Sequence, residues 1–105
     1  MIKHKKIYTE FFKYGEQDYV PCEICGAKAV DVHHIEARGM GGSKTKDHIV
    51  NLMGVCRECH NKCGGNIEFN KKAQSIHIEF IFNFLKGDMI TLKKLVYEYV
   101  DLQEK

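Results

Sequence analysis

The spacing of apolar positions changes several times along the chain, and each change predicts an element. Ile7, Tyr8, Phe11 and Phe12 recur at helical spacing and predict a short helix over roughly residues 6–14, ended by Gly15. Residues 16–21 are polar and close on Pro21, which suits an extended approach to Cys22. Ala29 to Ile35 (AVDVHHI) alternates in the manner of a strand, with Val30, Val32 and His34 on one face and Asp31, His33 and Ile35 on the other. Ile49 to Val55 (IVNLMGV) is expected as the return strand, and Cys56 to Cys63 as a short helix stopped by Gly64 and Gly65. Between Ile76 and Leu85 the apolar residues fit a strand and a helix equally well. The polar approach Lys71-Lys72-Ala73-Gln74 and a C′ glycine at Gly87 favour a helix over about residues 71–86. Leu92, Leu95, Val96, Tyr99 and Leu102 predict a last helix with Asp88 or Thr91 as its N-cap.

With 105 residues, no internal repeat and no interdomain linker, residues 1–105 read as a single domain. The segment 22–66 is dominated by Gly, Lys, His and Cys, buries little apolar surface by itself and needs a staple. All five cysteines and four of the six histidines lie between Cys22 and Cys63. The units Cys22-x-x-Cys25 and Cys56-x-x-Cys59 can supply four thiolates to one tetrahedral zinc, the geometry of a closed structural site. Gly26 directly after Cys25 lets the backbone turn so that its amides face the thiolates. The N-terminal MIKHKKIYTEFFKYG carries no apolar leader, which favours metal over disulfides and a soluble, cytoplasmic chain. Nothing approaches the roughly 20 apolar residues of a membrane span.

The net charge of +2 is unevenly spread. Residues 1–14 set Lys3, Lys5, Lys6 and Lys13 against Glu10, and residues 38–62 set Arg38, Lys44, Lys46, Arg57 and Lys62 against Asp47 and Glu58. A positive N-terminal arm and polar centre suit a phosphate backbone, although a solvated lysine surface has the same composition. The connection from Glu36 to His48, with Gly39, Gly41, Gly42, Lys44 and Lys46, exceeds an ordinary hairpin loop and could approach phosphates closely. His33, His34, Asn51 and His60 are polar groups that the zinc would not need. On residue type alone, the two strand histidines could be ordinary polar positions and His60 a helix cap. Asp31 is placed to support a ligand from behind, whereas His4, His48 and His77 are expected to be structural or exposed.

Taken in order, Cys22-x-x-Cys25, Val32-His33-His34-Ile35, Gly41-Gly42, Asn51-Leu52 and Cys56-x-x-Cys59-His60 resemble the HNH endonuclease family in its zinc-knuckle form, found in bacteriophage and bacterial nucleases. The resemblance covers about residues 20–66. It implies a small α+β fold: a ββα-metal, treble-clef-like core stapled by a four-cysteine zinc site, with a flanking N-terminal helix and a helical part over residues 67–105. The function it implies is hydrolysis of DNA phosphodiesters, in the host cytoplasm if the chain is phage-encoded.

The same motif implies roles for individual residues. His33 and His60 would hold the catalytic divalent ion, and His34 would be the general base that activates water. Asn51 would steady the His34 loop through backbone hydrogen bonds. Many family members carry a further histidine four residues after the last one; here that position is Gly64, beside the fifth cysteine, Cys63. Two protein ligands with water and phosphate suit Mg²⁺ or Mn²⁺. The partner would be DNA, with no membrane. The alternative is a non-catalytic zinc module that binds nucleic acid or a protein, and it has no need of His34.

Overall fold

The computed structural model describes residues 3–39 and 44–104. It is a small α+β arrangement of four helices and one two-stranded antiparallel sheet: α1 (Lys3–Phe11), β1 (Asp31–His34), β2 (Leu52–Val55), α2 (Arg57–Gly65), α3 (Ile67–Phe84) and α4 (Met89–Gln103). Glycines 41 and 42 of the long connection lie outside the described residues. No helix among the described residues is long and apolar enough to cross a membrane.

β1 and β2 pair in the register Asp31 with Val55, Val32 with Gly54, His33 with Met53 and His34 with Leu52. β2 is buried along its whole length because the sheet is covered on both faces. Tyr8, Phe12, Leu52, Ile81, Leu92 and Tyr99 form one core, closed by α1, α3 and α4. Ile35, Met53, Val55 and Ala73 form the other together with Cys22, Cys59 and Cys63. Leu52, Met53 and Val55 have no exposed surface, and each such burial stabilises by roughly 1.5–3 kcal/mol.

Several boundaries differ from expectation, each for a physical reason. The return strand expected from Ile49 begins only at Leu52, because Ile49–Asn51 coil into a 3₁₀ turn whose first amides are capped by the His48 side chain. The helix after Cys56 is not stopped by Gly64 and Gly65; it runs through them to Asn66, whose extended backbone ends α2 while its side chain caps α3 through the Phe69 amide. That cap starts α3 at Ile67, four residues before the expected position. Gly15 is not the left-handed residue that ends α1, and Gly87, itself left-handed at φ 82°, is not the first such residue after α3. Lys13 (φ 60°) and Lys86 (φ 56°) take that position. In each case the next amide reaches back across the end, Tyr14 to the Thr9 carbonyl at 2.9 Å and Gly87 to the Phe82 carbonyl at 3.0 Å, completing a Schellman closure. Asp88 caps α4 through the Thr91 amide.

Candidate functional site

The two cysteine knuckles come from a turn before β1 and from the start of α2, joined through the hairpin. The Pro21–Lys28 bridge closes the first knuckle, and Gly26, at φ 83°, makes its turn. Cys56 is the N-cap of α2, its sulfur accepting from the Cys59 amide. The sulfurs of Cys22, Cys25, Cys56 and Cys59 all lie within 4.8 Å of one another, and those of Cys25 and Cys56 are 3.7 Å apart. Four sulfurs at ~2.3 Å from a tetrahedral zinc are separated by ~3.8 Å, so this cluster could bind a metal such as zinc. Burial works against the Cys22 thiolate, but the amides of Cys25, Cys56 and Ile24 outweigh it and bring the thiol down to about 7. Burial and the three neighbouring thiols push Cys59 up. Cys63 is buried but stands apart from the cluster.

The histidines occupy the other side of the hairpin and its mouth. Alternation along β1 turns His33 and His34 to opposite faces. His33 is buried towards α3, where its Nε2 meets Asn70 Oδ1 at 2.8 Å; Asn70 in turn donates to the Ile35 carbonyl at 2.8 Å. Burial holds the His33 pKa below its ordinary value, with neighbouring His60 and His34 acting in the same direction, so its ring is neutral at pH 7. His60 projects from α2 with its ring centroid 5.0 Å from that of His33. Its Nδ1 lies 2.9 Å from Asp31 Oδ2, and this hydrogen bond holds the Asp31 carboxyl below the usual range, helped by Arg57. Each of these two imidazoles therefore has one nitrogen occupied by an oxygen acceptor and the other available, the usual preparation of a histidine for a metal.

His34 turns the other way, its Nε2 2.7 Å from Asp47 Oδ1 and its ring 4.7 Å from that of His4 on α1. Asn51 ties the connection that carries these groups. Its Oδ1 accepts from the Glu36 amide at 2.7 Å, and its Nδ2 donates to the carbonyls of Glu36 and Lys46, both at 3.0 Å. A cleft of about 540 Å³ opens beside His33 and His34 and is lined further by Gly65, Asn66, Asn70 and Lys71. Among the described residues, two groups of three or more potential ligands converge: the four cysteines, and His4 with His34 and Asp47.

Residues 2–91 match a family model described as a protein of unknown function, DUF968. The chain belongs to this family. An uncharacterized protein of Escherichia coli (strain K12), YdfU, is 38% identical over 82 residues, covering 77% of this chain and 22% of that protein. The chain thus spans about a fifth of the length of that relative. No solved structure matches.

In this DUF968 chain every site residue expected from the sequence lies at one of the two ends of the hairpin, and the structure adds others. Asp31 supports His60 rather than His33, because the short strand places its carboxylate over the first turn of α2. Asp47 and Asn70 carried no periodic signal; they lie 13 and 37 residues from the histidines they touch. His4 was legible in principle, since His4, Tyr8 and Phe12 share one helical stripe and that stripe is buried. Glu23 was the least expected. It sits between two knuckle cysteines, yet its side chain is wholly buried, 2.7 Å from His77 Nδ1 and 2.6 Å from the Tyr8 hydroxyl that donates to it. His77 itself is structural, its other nitrogen donating to the Ile49 carbonyl at 2.6 Å.

Proposed function

We propose that this chain is a metal-dependent DNA endonuclease of the HNH type. The observation that carries the reading is the pairing of His33 on β1 with His60 on α2, one nitrogen of each ring left available, beside a neighbouring His34 held in the opposite orientation at the same cleft. A plain structural module has no use for three histidines whose rings are each oriented by an oxygen partner.

The residues fit the groups that this chemistry needs. Cys22, Cys25, Cys56 and Cys59 would hold a structural zinc, and His33 and His60 would hold a catalytic Mg²⁺ or Mn²⁺. When bound, that ion would neutralise charge on the scissile phosphate and on the leaving oxygen. His34 acts as general base: water oxygen bonds to phosphorus as its proton passes to the free His34 nitrogen. The phosphorus–oxygen ester bond breaks, and the departing alkoxide takes a proton from solvent. Asn51 holds the backbone on both sides of the connection so that His34 keeps its place. Lys3, Lys5 and Lys6 of α1, with Lys71 in the cleft, would meet phosphates, giving DNA affinity that falls steeply with salt and depends little on sequence.

The test is cleavage of supercoiled plasmid with Mg²⁺, Mn²⁺ or chelator. His34→Ala should keep its fold, zinc and DNA affinity but lose about 10²–10⁴ in rate. His33→Ala and His60→Ala should recover part of their lost activity at higher metal concentration, as His34→Ala should not. If His34→Ala cuts as fast as the parent with every metal, the chain is instead a zinc-stapled binding module.

A further inference from the structure

We infer that Asp47 is a positioning residue for His34, fixing the tautomer and ring orientation that leave Nδ1 as the nitrogen facing substrate. The catalytic consequence rests on the endonuclease reading; the tautomer does not.

The contact is short and shielded. Asp47 Oδ1 lies 2.7 Å from His34 Nε2, with the Asp47 side chain 3% and the His34 side chain 15% exposed. An ionised carboxylate only accepts hydrogen bonds, so Nε2 carries a proton, and in the neutral ring Nδ1 is then the bare nitrogen. The second oxygen of Asp47 faces the Arg38 guanidinium at 3.7 Å, which helps to aim the carboxylate. On the other side of the ring stands His4, whose pKa is held below its ordinary value by burial and by His34. The His4 ring, 4.7 Å away, limits rotation of His34.

The backbone is arranged around this contact. Asn51 grips Glu36, two residues after His34, and Lys46, immediately before Asp47. One amide side chain thereby sets the separation of the two segments that carry the pair. The Asp47 amide closes a 3₁₀ turn onto the Lys44 carbonyl, and α4 steadies that turn from outside as Gln103 donates to the Thr45 carbonyl at 2.8 Å.

An ion shared by His4, His34 and Asp47 is the competing explanation, and the spacing argues against it. Nitrogen and oxygen donors on one tetrahedral ion at ~2.1 Å are separated by ~3.4 Å. The cysteine sulfurs of this chain do show a metal-ligand separation, whereas His34 and Asp47 stand at hydrogen-bond length.

The experiment joins two measurements on the zinc-loaded protein. Long-range ¹H–¹⁵N correlation should show His34 as the Nε2–H tautomer in the parent, and a shift towards a tautomer mixture in Asp47→Asn, whose amide can donate as well as accept. Plasmid cleavage by Asp47→Asn should fall at least ~100-fold in kcat with KM for DNA unchanged, the pattern of a wrongly protonated imidazole. A parent His34 protonated at Nδ1 overturns the inference, as does an Asp47→Asn protein that cuts at the parental rate. A second tightly bound zinc that disappears in His4→Ala overturns it in favour of the shared ion. If the parent cuts no DNA under any metal, the endonuclease reading fails while the tautomer measurement still decides the placement of Asp47.

Discussion

The cysteine cluster and the histidine cleft are built on the same two strands but organised by opposite means. At the cysteine end, two turns from distant parts of the chain bring four sulfurs together with no other group between them to balance charge. At the histidine end, the chain supplies the organising groups itself: Asn70 for His33, Asp47 for His34, Asp31 for His60 and Asn51 for the connection. One end could be held by an ion, and the other is oriented by its own side chains. That is the division expected when one site holds the fold and the other must present fixed geometry to a ligand that comes and goes.

The strongest way to break the comparison is to remove metal. Chelation, or Cys22→Ser, should unfold the hairpin and abolish cooperative melting, with elemental analysis finding close to one zinc per chain beforehand. A chain that is fully folded and free of zinc would show that the cysteines need no organiser. Next in size is the buried link between the two ends. His77→Ala removes the buried histidine partner of Glu23 and should cost about 3–5 kcal/mol in denaturant unfolding. A cost below about 1 kcal/mol would mean that water reaches Glu23.

Smaller effects sharpen the histidine side. If His33 and His60 hold a second ion as proposed, Asn70→Ala should weaken its binding by about 10- to 100-fold while leaving zinc content nearly unchanged. Equal losses at both metals would erase the distinction between the ends. The smallest effect is in acid. Burial depresses the pKa of His33, so near and below the ordinary histidine value the unfolded chain binds more protons than the folded one. Its contribution is present above about pH 6.5 and is lost as the pH falls below that value. Denaturant titrations at fixed free zinc should give a shallower decline between about pH 7 and 5 in His33→Asn than in the parent.

The cysteine end was legible in the sequence because its information is local: two C-x-x-C units declare their chemistry by residue type and spacing. The α+β class and the two C-terminal helices were legible for a similar reason: the polar approach Lys71–Gln74, Gly87 and a cap at Asp88 settle what an apolar run between residues 76 and 85 leaves ambiguous, although the Asn66 cap that starts α3 earlier was not read. What could not be read were partners set by tertiary placement. Asp47 looks like one more charge in a polar loop, and Asn70 like one more polar position on a helix. Lys13 and Lys86 at left-handed helix ends go against local preference. The neighbouring amide closures hold them there, at a strain of roughly 1–2 kcal/mol that glycine would avoid.

Glu23 gives the knuckle a reach beyond its own turn. Its carboxylate accepts from Tyr8 of α1 and from the Gly54 amide of β2, and it holds His77 of α3. Even a methyl group at Gly54 would stand 2.8 Å from the Tyr8 hydroxyl, so the tyrosine reaches Glu23 only because this strand position carries no side chain. Losing the cysteine turn therefore removes a keystone from three other elements at once, and no half-assembled chain keeps the cleft while lacking the knuckles. If the cysteines hold zinc as proposed, cellular metal supply acts as a quality-control gate: it sets how many molecules escape proteolysis after synthesis.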